Sequence, residues 1–115
     1  MFQIVQTNLT IMVRNMDQCI AFYTDVLGFK IISRYGNHYA QIEAPGIIIG
    51  LHPSEKEKNK SENISIGFTV NHFDEAKIHL VESGIVHHER TEEGGGFIHF
   101  QDPDGTPLYF IKPKS

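Results

Sequence analysis

The pattern of apolar and polar positions says nearly the same thing twice. Residues 7–28, TNLTIMVRNMDQCIAFYTDVLG, read as an apolar strand, a polar cap and an amphipathic helix stopped by Gly28. Residues 64–84, ISIGFTVNHFDEAKIHLVESG, repeat that grammar and stop at Gly84. Asn15 has the spacing of a helix cap with Gln18 as its box partner, and Asn71 with Asp74 has the same spacing in the second copy. The first buried stripe is Met16, Cys19, Ile20, Tyr23, Val26 and Leu27; the second is Phe73, Ala76, Lys77, Leu80 and Val81, with the lysine snorkelling. Three strands follow each helix: 30–35, 38–43 and 46–52, then 85–90, 96–101 and 107–112. Gly36-Asn37 and Pro45-Gly46 mark turns, and Asp102-Pro103-Asp104-Gly105 marks a tight hairpin.

This predicts an α+β domain of two β-α-β-β-β units, residues 1–53 and 64–115, joined by the solvated linker 54–63. The strands are expected to line one concave face, a cleft, with both helices outside. Such a face carries Thr10, Met12, Ile48, Gly67, Thr69 and Ile111, a patch that predicts a homodimer.

Composition narrows the partners. A net charge of −4 without a basic run argues against nucleic acid. No apolar stretch reaches bilayer length, and a signal-peptide pattern is lacking. The single Cys19, on the buried helix stripe, reads as an inert core thiol and fits a cytoplasmic setting.

Two segments carry a family resemblance: VRNMDQCIAFYTDVLGFKI (13–31) and FIHFQDPDGTPLYF (97–110). In them the chain resembles the vicinal oxygen chelate superfamily, the glyoxalase, bleomycin-resistance and extradiol-dioxygenase group. RYGNHYAQIEAPG, GLHP and the final hairpin look like a bacterial glyoxalase-related subgroup. The resemblance implies a divalent metal held from the first and last strands of each unit. Carried over residue by residue, those positions are Asn8, Gly50, Ser65 and Tyr109. The glyoxalase pattern there has His or Gln, Glu, His and Glu. This chain offers neither carboxylate nor imidazole, so no metal and no other cofactor is expected at that site.

His52 and His99 are then the candidate proton-transfer residues. His52 lies two residues after Gly50 and points to the same side, where the glycine leaves room for a ligand. His99 faces the cleft if Ile98 and Phe100 face the helix layer. Asn8, Thr10, His38, Gly50, Ser65 and Tyr109 are the candidate ligand-binding positions. A rearranged zinc site from His38, His52 and His99 is the metal alternative. His87 and His88 are adjacent and point to opposite strand faces, so they are no chelate. His72 and His79 read as helix-surface residues. Gly94-Gly95-Gly96 leads into a strand, so it is no phosphate cradle; it reads as a flexible turn or a loop over the cleft. Glu92 and Glu93 beside it read as solvated, the sequon at Asn63 carries no weight, and no nucleophile has a triad around it.

Two functions remain. One is a protein that binds a small organic molecule, partly aromatic or apolar, as the bleomycin-resistance branch does, without the usual metal. The other is a metal-independent or atypically metallated lyase or isomerase acting on a small oxygenated substrate through His52 or His99.

Overall fold

The computed structural model describes residues 1–54, 64–92 and 95–112, so all of the expected linker except Ser54 lies outside the described residues. The chain divides into two compact units, Met1–Glu57 and Lys58–Ser115. The first contains β1 (Asn8–Val13), α1 (Met16–Ala21), a π-helical turn (Phe22–Val26), β2 (Lys30–Tyr35), β3 (Tyr39–Ala44) and β4 (Ile47–Pro53). The second contains β5 (Ile66–Thr69), α2 (Phe73–Glu82), β6 (His88–Glu92), β7 (Gly95–Gln101) and β8 (Pro107–Ile111). Each holds one four-stranded sheet, ordered β1-β4-β3-β2 and β5-β8-β7-β6, in which the first and last strands pair in parallel and the rest are antiparallel. This is the expected α+β fold of two β-α-β-β-β units.

Strand alternation decides which face each sheet buries. In the first unit Ala40, Ile42, Ile49 and Leu51 are fully buried, and their neighbours face the other way. Arg34, the cross-strand partner of Ala40, reaches Asp17 on α1 at 2.5 Å, so the helix lies on the buried face. In the second unit Ile98, Phe100, Leu108 and Phe110 form the buried face. Lys77 on α2 pairs with Glu89 at 2.5 Å, and Glu89 opposes Ile98, so α2 covers that face too. The hydrogen bond to Glu89, with its charge, raises the Lys77 ammonium above its ordinary range. Burying one such aliphatic or aromatic side chain stabilises by about 1.5–3 kcal/mol, which makes these two small cores the main source of cohesion.

The first helix departs from its expected stripe. Asn15 caps it as anticipated, its side chain accepting from the Gln18 N–H at 2.9 Å. After Ala21, however, the helix widens: Thr24 Oγ1 donates to the Ile20 carbonyl at 2.8 Å and the Leu27 N–H reaches back to Phe22. The wider turn brings both Phe22 and Tyr23 into the core, edge to face at 5.3 Å, and leaves Val26 and Leu27 half-buried. The wider turn rotates the residues after Phe22 relative to a 3.6-residue count, so the stripe no longer continues through Val26 and Leu27.

The second helix corrects two expectations. Its cap is His72, without a side-chain bond, and not Asn71. The helix begins one residue late, which leaves Asn71 outside the cap position. Val81, expected on the inner stripe, is 59 % exposed, and Leu80 is the helix's one fully buried side chain. The C-terminus closes as a Schellman motif: Gly84 takes φ 71°, its N–H bonds Val81, and the Ile85 N–H bonds Leu80.

Three strand expectations also shift. Residues 85–87 are not strand, because the chain is still leaving the helix cap, and the His87 ring bonds the Ile85 carbonyl at 2.9 Å. His38 lies in the β2–β3 turn and not at the start of a strand. Gly95, expected in a loop, pairs with Glu92 in the β6–β7 ladder, and Gly96, the expected strand start, pairs with Thr91; Gly94, Glu93 and the Glu92 side chain lie outside the described residues. The Asp102 hairpin is as expected. Its carboxylate, 4 % exposed, accepts from the N–H groups of Asp104 and Thr106, both at 2.9 Å.

Candidate functional site

Each sheet presents one helix-free face, and register fixes what stands side by side on it. In the first unit Thr10 opposes Gly50, and Gly50 opposes Gln41, which opposes Ser33. Asn8 begins the same face of β1 and accepts from Gln6 Nε2 at 2.6 Å. His52 stands beside Met12, exposed, its Nδ1 3.0 Å from the Pro53 carbonyl oxygen.

The room expected above Gly50 is filled. A Cβ there would lie 2.6 Å from the Tyr39 hydroxyl and 2.9 Å from Thr10 Oγ1. Glycine is required because the Tyr39 phenol leans back across the neighbouring strand. Gln41 Nε2 approaches that phenol at 3.5 Å, and Ser33 Oγ donates to Gln41 Oε1 at 3.3 Å. A chain of neutral hydrogen-bonding groups thus runs across this face. Sequence reading missed Tyr39; the signal available was a glycine inside a strand, next to a strand carrying a large aromatic.

The second unit inverts the device. Gly67 opposes Tyr109, Tyr109 opposes His99, and His99 opposes His88. The Tyr109 ring lies over Gly67, where a Cβ would meet its Cζ and, at 2.6 Å, its hydroxyl. His99 has the parity that turns it to the helix-free face. Its ring is 5.6 Å from that of Tyr109 and stacks on Phe97 at 6.3 Å. Ser65 is exposed and precedes β5 rather than belonging to it. His38, in its turn, joins neither row. Among the described residues no three His, Cys, Asp or Glu side chains cluster as metal ligands. A separate groove of about 750 Å³ opens at the Asn8 end of the first unit, beside Phe29, Lys30, Glu43 and Ile48. Its lining gave no sequence signal.

The profile of the glyoxalase/bleomycin resistance protein/dioxygenase superfamily matches residues 3–110. The chain belongs to that superfamily. Solved structures of the same fold include the fosfomycin resistance protein FosX from Listeria monocytogenes, with a TM-score of 0.81 at 19 % identity over 98 % of this chain and 95 % of that one. An integron cassette protein from the Halifax Harbour sewage metagenome gives 0.80 at 18 % identity over 95 % and 98 %. Lactoylglutathione lyase from Agrobacterium tumefaciens gives 0.78 at 17 % identity over 96 % and 94 %. At these identities the likeness is one of fold. No curated protein matches the sequence.

The superfamily's chelating positions do not fit a divalent ion in this chain. Gly50 supplies no side chain, and its space holds a phenol that already has neighbours. The Tyr109 hydroxyl lies against Gly67, and Asn8 and Ser65 are neutral, weak donors. A hard or borderline cation needs carboxylates or imidazoles there.

Proposed function

We propose that this superfamily member binds a small organic molecule with a flat or apolar body on the helix-free face of its second unit, without a metal at the superfamily's usual positions. The observation that carries the reading is the row of rings formed by Tyr109 seated on Gly67, His99 and Phe97. Stacked rings offer a large, stiff surface for a planar ligand, and His99 adds a hydrogen-bonding edge. Asn8, Thr10 and Gly50 of the first unit, with His38 and Ser65, are the further ligand-binding positions we propose. The shared fold with the fosfomycin resistance protein FosX supports a small-molecule partner. The test is a thermal-shift and calorimetric screen of small aromatic and antibiotic compounds. A binder should lose at least tenfold in affinity in Tyr109→Ala and in Phe97→Ala. Binding indifferent to both substitutions would refute the placement.

A second reading keeps the fold and adds chemistry. His99, or His52, would move a proton in a metal-independent lyase or isomerase, with the Tyr109 ring packed against His99. Turnover abolished by His99→Gln, with ligand binding kept, would favour it. We also propose a cytoplasmic homodimer. Light scattering should give twice the 13.1 kDa chain mass, and a monomer at all micromolar concentrations would exclude the pairing.

A further inference from the structure

We propose that His88 and His99 form a two-imidazole site for a divalent transition metal, apart from the positions the superfamily uses. The two residues are direct cross-strand partners in the antiparallel β6–β7 ladder. Side chains in that relation leave the same face of the sheet, with Cβ atoms about 4.5–5.5 Å apart. The face is fixed independently: Glu89, between His87's turn and Arg90, bonds Lys77 of the helix, so its neighbour His88 points the other way. His99 points there too, because Ile98 and Phe100 on either side of it are buried. The adjacent pair His87-His88 is therefore no chelate, whereas His88 and His99, eleven positions apart in sequence, stand opposite each other.

The surroundings suit a ligand. The His99 ring stacks on Phe97 and packs at a tilt against Tyr109, which restricts its rotation. His88 is exposed on edge strand β6 and free to turn toward it. Among the described residues neither imidazole makes a hydrogen bond or an ion pair that would compete. Two imidazole nitrogens suit copper above nickel and zinc, and not magnesium or calcium. With only two protein ligands the ion keeps open positions for water or an oxygen-bearing molecule. The Tyr109 hydroxyl does not complete the site, because it lies over Gly67 on the far side of its own strand.

Untagged protein, stripped with chelator, is titrated with Cu²⁺ and Zn²⁺ by calorimetry, and imidazole proton resonances are followed with substoichiometric Cu²⁺. One saturable equivalent should broaden the resonances of His88 and His99 first. His88→Ala and His88→Gln, on an exposed edge residue, keep the fold and should weaken binding at least tenfold, as should His99→Ala. His52→Ala and His79→Ala should leave it within twofold, and Tyr109→Ala, which removes the proposed organic ligand, should leave the metal bound. Unchanged affinity in both His88 variants, equal losses in the control variants, or no saturable binding would each overturn the site.

Discussion

Substituting Gly67 by alanine tests the arrangement on which the second unit's face depends. The backbone tolerates the change, since Gly67 is absent from the glycines with positive φ. The new methyl would fall on the Tyr109 ring, 2.6 Å from both Cε2 and the hydroxyl. Carbon atoms rest about 3.5–4.0 Å apart, so the ring must move by roughly 1 Å or more. Tilting it some 30° off its rotamer costs about 0.5–1.5 kcal/mol. Disturbing its pairing with His99 and Phe97 costs a further 0.5–1.5 kcal/mol or so. Against this, replacing a strand glycine by alanine returns roughly 0.5–1 kcal/mol of conformational entropy. Gly67→Ala should therefore destabilise by about 1 kcal/mol. In a Tyr109→Ala background the seat is empty, and the same substitution should stabilise by about 0.5–1 kcal/mol. The reversal of sign is the signature, with a coupling of roughly 1–3 kcal/mol. Urea unfolding of the four proteins, at one protein concentration, measures it. Additivity to within about 0.5 kcal/mol would show that the ring does not rest on Gly67.

The same logic extends to other positions. Gly50→Ala should displace the Tyr39 hydroxyl and cost about 1–3 kcal/mol in urea unfolding, because the site is buried and the methyl overpacks it. Leu80→Ala should cost about 2–5 kcal/mol, the largest effect of any α2 substitution, since it empties the helix's one fully buried position. Asn15→Ala should cost about 0.5–2 kcal/mol and Asn71→Ala less than about 0.5 kcal/mol, since only the first caps a helix. Lys77 has a raised folded value, so the stability it adds with Glu89 is full below its ordinary 10.5 and fades as pH rises through the raised one; Lys77→Met should flatten unfolding-versus-pH curves in that alkaline window alone.

Much of the fold was legible because it rests on local signals. Gly28 and Gly84 both take the left-handed conformation that ends a helix, at φ 75° and 71°. Asn15 caps, and the strand alternation names the buried face correctly, His99 included. The misses share one cause: positions set by tertiary contact rather than by period. The π-turn at Phe22–Val26 breaks the helical count, and Asn71 loses its cap because the chain from β5 enters α2 one residue late. Gly95 joins a ladder that its composition disfavours, because Glu92 across from it supplies the pairing. Strand parity places Thr10, Gly50 and His52 on the helix-free face of the first unit, and His99 and Tyr109 on that of the second. Tyr39 over Gly50 and His88 opposite His99 were not legible in that way, since both depend on register between strands, which a single sequence does not encode directly.

Each unit's helix-free face carries a phenol over a glycine and no carboxylate at its last strand's central position. Where a ligand carboxylate leaves a last strand, its volume and its polar function must both be replaced, or the face carries a void lined by unsatisfied groups. In the first unit the last strand carries Gly50, and the phenol of Tyr39 enters diagonally from the adjoining strand. In the second unit the last strand carries Tyr109, and the partner strand carries Gly67, which seats it. Both arrangements put one aromatic hydroxyl over one glycine, by opposite routes. A phenol offers a hydrogen-bonding, π-faced surface in place of a carboxylate's anionic oxygens. Such a face favours a neutral or planar ligand over an ion at the old positions. The proposed metal affinity rests instead on the pair of imidazoles that register brings together among the described residues, His99 one strand and His88 two strands from Tyr109.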